Sequence, residues 1–249
     1  MNLWQSLADM FQVPWGEYAG NLGEGLLRTL AYTIASFMGA AALGLVLALM
    51  RLNRLRAVRL PATIYTELFK NVPLLAIIFV TYFGLPSVGI KFSVFVAGVL
   101  SLVLFYAAYL SEIFRAAIAG IHSGQNEAAH ALGLGRVTTF GHVILPQALR
   151  LALPGTNTMF VDLLKSTSLL VTISAAELMT RAQLIASETF RALEVYLVIA
   201  AIYFVVCYPV SQCLLWLERT IHAGVPLSFG RRRRLSLAKL LIQNGGLSG

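Results

Sequence analysis

Charge is what this chain lacks most. Asp, Glu, Lys and Arg make up only 12% of its 249 residues, while hydrophobic residues take 58%. The charged share is about half that of a typical soluble domain. Together with a mean hydropathy of +0.76, it excludes an ordinary water-facing globule and places the chain in a bilayer. Acidic residues are scarcer than basic ones, 11 against 19, for a net charge of +8. That excess does not point to nucleic acid, because the basic residues cluster beside apolar spans, which is how membrane topology is written. Cysteine is limited to Cys207 and Cys213 in one hydrophobic segment, too far apart along a helix to pair, so they read as packing residues. Metal-ligand spacing is missing: His122, His130 and His142 share one polar stretch without it. No Gly-x-x-x-x-Gly-Lys-Ser/Thr phosphate loop occurs, and no nucleophile sits beside a base. The reading is therefore not an enzyme, with no cofactor or metal in this chain. The chain also opens without a basic stretch, short apolar core and cleavage site, so no removable signal is expected.

What the chain does have is long apolar runs. About 20 apolar residues cross a hydrocarbon core. Leu30–Met50, Phe92–Ser111 and Val195–Leu217 qualify at once. Pro61–Pro86 carries Glu67, Lys70 and Pro73 in its first half, and Leu151–Ala176 carries Asp162 and Lys165 near its middle. Leaving either out would put long greasy loops in water. The expectation is an all-α membrane bundle of five transmembrane helices. Ala40 and Gly44 have the small-xxx-small spacing that lets helices approach closely, read as packing within the chain. No internal repeat is evident.

Basic residues orient the bundle. With the N-terminus outside, the inner segments hold Arg51, Arg54, Arg56, Arg59, Arg115, Arg136, Arg150, Arg219, Arg231, Arg232, Arg233, Arg234 and Lys239, and the outer ones only Lys91, Arg181 and Arg191. The N-terminus is thus expected outside and the C-terminus in the cytoplasm. Residues 1–25, with Trp4 and Trp15, read as a periplasmic segment with a short helix on the outer face. The transmembrane domain is expected over 26–222, with a cytoplasmic loop at about 116–150. Residues 223–249 form a basic tail whose four arginines meet anionic lipid headgroups.

The most informative stretch lies in that loop. Glu127-Ala128-Ala129 and Ala131 form a short, smooth helix that Ser123 is placed to cap, with Glu127 in its favoured first turn. Gly133 or Gly135 is expected to end it with a positive φ, and Ile144-Leu145-Pro146 follows. This arrangement resembles the loop by which permeases of ATP-binding-cassette importers dock their ATPase. A smooth, short helix can seat in a groove as a ball does in a socket.

The resemblance runs from about residue 25 to 219. It includes Thr29-Leu30, Leu68 to Leu75, Tyr82 to Pro86, Tyr109 to Arg115, and Lys165-Ser166-Thr167-Ser168-Leu169, and it is similar to the polar-amino-acid uptake branch. Departures are Lys70-Asn71-Val72-Pro73 where the family usually has Arg-Gly-Thr-Pro, Ser166 in place of an acid, and His122 where Pro is common.

The resemblance implies a bacterial inner-membrane permease subunit carrying a polar amino acid or a related compound such as an opine. Its implied partners are an ATPase that binds ATP and Mg, a second permease subunit, identical or homologous, and a solute-binding protein. The ATPase-coupling residues would be Glu127, Ala128, Ala129, Ala131, Gly133, Gly135, Ile144 and Pro146.

Charges at membrane depth are costly and normally face protein or water. Asp162 and Lys165, one turn apart, can neutralise each other, and Asn157 adds an amide on the same helix. Acid, base and amide suit the ammonium and carboxylate of an amino acid. A buried pair tying two helices together is the plainer alternative. Thr167 joins the candidate pathway set with Glu112 and Glu67. Glu112 with Arg115 also reads as an interfacial ion pair, and Glu67 with Lys70 as groups at the inner mouth or a gate. A rival class, an ion-coupled transporter or channel subunit, would use Glu112, Asp162 and Lys165 as relay groups.

Overall fold

The computed structural model describes residues 13–223 and contains, among them, helices and no strands. Nine α-helices follow in order: α1 Trp15–Leu52, α2 Arg56–Asn71, α3 Leu74–Phe79, α4 Val94–Ala119, α5 Ser123–Ala131, α6 Arg136–Thr139, α7 Leu145–Ser166, α8 Leu178–Thr189 and α9 Ala192–Ala223. The basic tail lies outside the described residues except for its first position.

Helices α1, α4 and α9 are each long and apolar enough to cross a membrane alone. The other two expected spans are broken. Helix α2 meets the Leu74–Val88 segment at 107°, and the 136–173 segment meets α8 at 50°. The count is therefore three spans, or up to five if each bent pair crosses once. The first break has a local cause: Pro73 has no N–H for helix continuation and pushes Val72 to an extended ψ of 131°. Beyond α3 the backbone loosens into a π-turn at Val80–Gly84 and a 3₁₀ turn at Leu85–Val88.

Helix α1 differs from the sequence expectation. Its 38 residues span about 57 Å at 1.5 Å per residue, well beyond a hydrocarbon core. Residues 15–25 continue the first long helix, while the rest of the expected N-terminal segment, with Trp4, lies outside the described residues. The reason is packing: Trp15, Tyr18, Leu22 and Leu26 recur at helical spacing and join Leu178, Ala182, Val195 and Ile199 in a second core.

The main core lies where α1 crosses α4. Thr29, Thr33, Ser36, Ala40, Gly44 and Leu47 make one buried stripe along α1. A methyl group on Gly44 would stand 2.9 Å from Leu110 Cβ and 3.1 Å from the Ala107 carbonyl. The Ala40/Gly44 spacing thus serves packing within the chain. Several hydroxyls buried in these helices back-bond one turn up, as Thr33 to Thr29 O at 2.8 Å and Ser101 to Ala97 O at 2.7 Å, which satisfies them in apolar surroundings, whereas the buried Ser36 Oγ has no partner among the described residues.

Candidate functional site: a projecting loop helix and a polar helix face

The loop helix α5 forms as expected, with a changed cap. Its N-cap is His122, whose Nδ1 accepts from Gly124 N at 3.1 Å, and Ser123 is already helical. The chain's departure at His122 thus supplies the acceptor that the first turn needs. At the other end Gly133 has φ +74°. Gly133 N donates to His130 O at 2.9 Å and Leu134 N to Ala129 O at 3.0 Å, the paired closure of a Schellman motif. Gly135, with φ −68°, instead caps α6. Ala129 is buried, while Glu127, Ala128, Ala131 and Leu132 are exposed. The helix is pinned by one methyl and offers the rest of its surface outward. Ile144 is buried where a π-turn runs into α7, and Pro146 sits in the first turn of α7, where no N–H is required.

Helix α7 carries the second feature. Leu151, Pro154, Thr158, Asp162 and Lys165 recur at three- and four-residue steps, and all are exposed on one face. No ion pair joins Asp162 to Lys165 among the described residues. Instead the Tyr106 hydroxyl of α4 lies 2.7 Å from Asp162 Oδ2 and 2.8 Å from Ser166 Oγ. A phenol has one proton to give, so it donates to the carboxylate and accepts from the serine. Asn157 Nδ2 reaches α9, donating to Leu214 O at 3.3 Å and Glu218 Oε2 at 3.4 Å. Asn157, Thr158, Asp162, Lys165, Ser211 and Glu218 line a cavity of about 220 Å³ between α7 and α9. Thr167 does not join them. It is fully buried, and its hydroxyl donates to Leu164 O at 2.7 Å.

Glu67 and Glu112 belong to a different cluster. Glu112 binds Arg51 at 2.9 Å, Lys70 at 3.6 Å and its helix neighbour Arg115, and Lys70 also meets Glu67 at 3.5 Å. This is more than the local Glu112–Arg115 pair of the sequence reading: it fastens the ends of α1 and α2 to α4. One carboxylate among three cations is spoken for, which suits a clasp better than a proton relay.

Sequence reasoning missed Tyr106, Arg51, Glu218 and, above all, Glu177. The Glu177 side chain is fully buried. It caps α8, accepting from Met179 N at 2.8 Å, Thr180 N at 2.6 Å and Thr180 Oγ1 at 3.0 Å, with Tyr203 Oη at 3.4 Å. Its one sequence signal is an acid just before a short apolar helix with Thr three residues on.

Residues 40–222 match the family described as binding-protein-dependent transport system inner membrane component. The chain is 34% identical over 198 residues to the probable glutamine ABC transporter permease protein GlnM of Bacillus subtilis (strain 168), covering 80% of this chain and 92% of that one. It is 37% identical to the probable amino-acid ABC transporter permease protein PatM of Vibrio harveyi, covering 79% and 93%. Among solved structures, an amino acid ABC transporter crystallised with histidines superposes with a TM-score of 0.77 at 35% identity, covering 83% of this chain and 96% of that one. The inward-facing MetNI methionine ABC transporter shares the fold, with a TM-score of 0.69 at 17% identity.

Proposed function

Because the chain belongs to the family of binding-protein-dependent transport system inner membrane components, we propose that it forms the membrane path for a polar amino acid. It is the permease subunit of an ATP-driven importer, a multi-pass protein of the inner membrane, and ATP is hydrolysed by a separate subunit. The observation that carries the pathway is the exposed polar face of α7. Asp162, Lys165 and Thr158 point out of the chain from a helix built to lie in membrane. Lipid would charge a few kcal/mol for each ionised group there. Water or a second permease subunit removes that penalty, so this face lines the passage between two subunits.

In this reading Asp162 meets the ammonium of the cargo, Lys165 its carboxylate, and Asn157 sets the width by tying α7 to α9. Tyr106 holds Asp162 aimed. The N-terminus lies outside and the C-terminus inside, so α5 stands in the cytoplasm. There Glu127, Ala128, Ala131 and Leu132 seat in the ATPase, which holds ATP and Mg. A solute-binding protein delivers cargo from outside. ATP favours one arrangement of the ATPases over the other, and that difference in affinity drives the bundle between its two states.

The test uses the transporter reconstituted with its ATPase and binding protein. Asp162→Ala should lower amino-acid uptake while an Ala128→Cys cross-link to the ATPase persists. Wild-type uptake by Asp162→Ala would reject the pathway. An Ala128→Cys that reaches no ATPase, or uptake that survives ATP depletion and collapses with an uncoupler, would reject the importer reading.

A further inference from the structure

A cavity of about 520 Å³ lies behind α5, and we propose that it binds the phosphate-bearing headgroup of an anionic phospholipid. Its polar lining comes from three separate segments: Arg54 from the α1–α2 turn, Asn126 and His130 from α5, and Arg136 and Thr139 from α6. Ile118 and Phe140 are among its apolar walls. The volume is within the range of small-ligand sites, about 300–1,000 Å³.

Charge says what it holds. Arg51, Lys70 and Arg115 are each paired with a carboxylate, but Arg54 and Arg136 form no ion pair with any described residue. Two guanidinium groups lining one hollow, with no carboxylate in its lining, make an anion site, and their planar forks match a phosphate.

Helix α2 says where the phosphate comes from. Leu60, Ile64 and Leu68, at four-residue steps, are 59%, 58% and 54% exposed, while Ala62 and Thr66 face the bundle and are buried. Arg56 and Arg59 flank that apolar stripe. A helix with an uncovered apolar stripe beside basic residues, bent 107° from the segment that follows it, lies in the membrane–water interface. Arg54 stands two residues before it, so the cavity opens at headgroup depth.

The cavity and the docking surface do not compete. Asn126 and His130 lie on the face of α5 that also carries buried Ala129, whereas Glu127, Ala128 and Ala131 occupy the opposite face. A headgroup there would bridge the α1–α2 turn to the loop helix and stiffen the link through which ATPase movement reaches the membrane. That consequence rests on the importer reading; the lipid site itself does not.

The probe is phosphatidylglycerol with a photoreactive headgroup, at a few mol% in phosphatidylcholine proteoliposomes holding the complete transporter. Adducts are expected within residues 118–144, reduced about fivefold for each arginine lost in Arg54→Gln/Arg136→Gln. Arg150→Gln, a basic residue outside the cavity, should label as wild type. Unlabelled phosphatidylglycerol should displace the probe. Full labelling of the double variant, equal labelling by a phosphatidylcholine probe, or displacement by inorganic phosphate would each overturn the proposal. The Ala128→Cys cross-link is scored in parallel. Its loss with lipid labelling intact counts against the importer reading alone, and lost labelling of the wild type with the cross-link intact counts against the lipid site alone.

Discussion

The Tyr106 hydroxyl stands 2.7 Å from Asp162 Oδ2, although 56 residues separate them in the chain. Tyr106 is itself almost fully buried in α4, whereas Asp162 reaches the open face of α7. The core thus holds one end of the contact rigid, and the carboxylate at the other end is aimed by it.

Tyr106→Phe removes the hydroxyl and keeps the ring. A hydrogen bond to a charged group contributes about 1.5–3 kcal/mol, and the exposure of Asp162 puts this one at the low end. A modest fall in Tm is expected together with reduced uptake, measured side by side in the reconstituted transporter. Unchanged uptake with unchanged Tm would show that Asp162 needs no such support.

Glu112→Gln leaves Arg51, Lys70 and Arg115 crowded around a neutral amide. Arg51 is mostly buried, with 10% of its side chain exposed, while Glu112 is about one-third exposed, so water screens part of the cost. A loss of about 1–3 kcal/mol is expected, read by thermal unfolding in detergent. Glu67→Gln, whose carboxylate is more exposed and among the described residues meets only Lys70, should cost under about 1 kcal/mol.

Gly44→Ala drives a methyl group against Leu110 Cβ and the Ala107 carbonyl at the tightest crossing of the bundle. Overpacking of this kind costs about 1–3 kcal/mol. Gly20→Ala, with nothing within 4 Å of the added carbon, should be neutral or gain up to about 1 kcal/mol from helix propensity. Equal melting temperatures for the two variants would contradict the α1–α4 contact.

Glu177→Ala strips the buried cap from α8 and leaves two backbone N–H groups without their acceptor. A cap contributes about 0.5–2 kcal/mol. Faster amide exchange is expected across 178–189, with Glu177→Gln recovering part of the protection because one side-chain oxygen still accepts. Exchange indistinguishable from wild type would remove Glu177 from the account of how α8 is held.

The loop helix was legible because its signals are local: three alanines and a glycine just past the end act within one stretch, although Glu127, expected in the first turn, lies beyond it because the helix already starts at Ser123. The capping residue was not, since His122 is an unusual acceptor beside an orthodox Ser123. The pairing of Asp162 with Lys165 was expected from their spacing, which places them on one face but cannot say that a tyrosine from another helix is nearer. Thr167 was placed in the pathway set, yet the helix tightens into a 3₁₀ turn at Thr167, which turns the hydroxyl back onto Leu164.

By itself the sequence determined that the chain lives in a membrane, where its apolar segments run, and that α5 stands clear of them, because hydrophobic burial and helix capping depend on residues a few places apart. Only the tertiary structure decided that the first helix runs unbroken from Trp15, that two expected spans are bent, and which distant groups meet. Those meetings, Arg51 with Glu112, Asn157 with Glu218 and Leu178 N with Thr29 Oγ1 across 149 residues, depend on how helices cross. In a bilayer an unpartnered polar group is costly, and no local pattern names its partner.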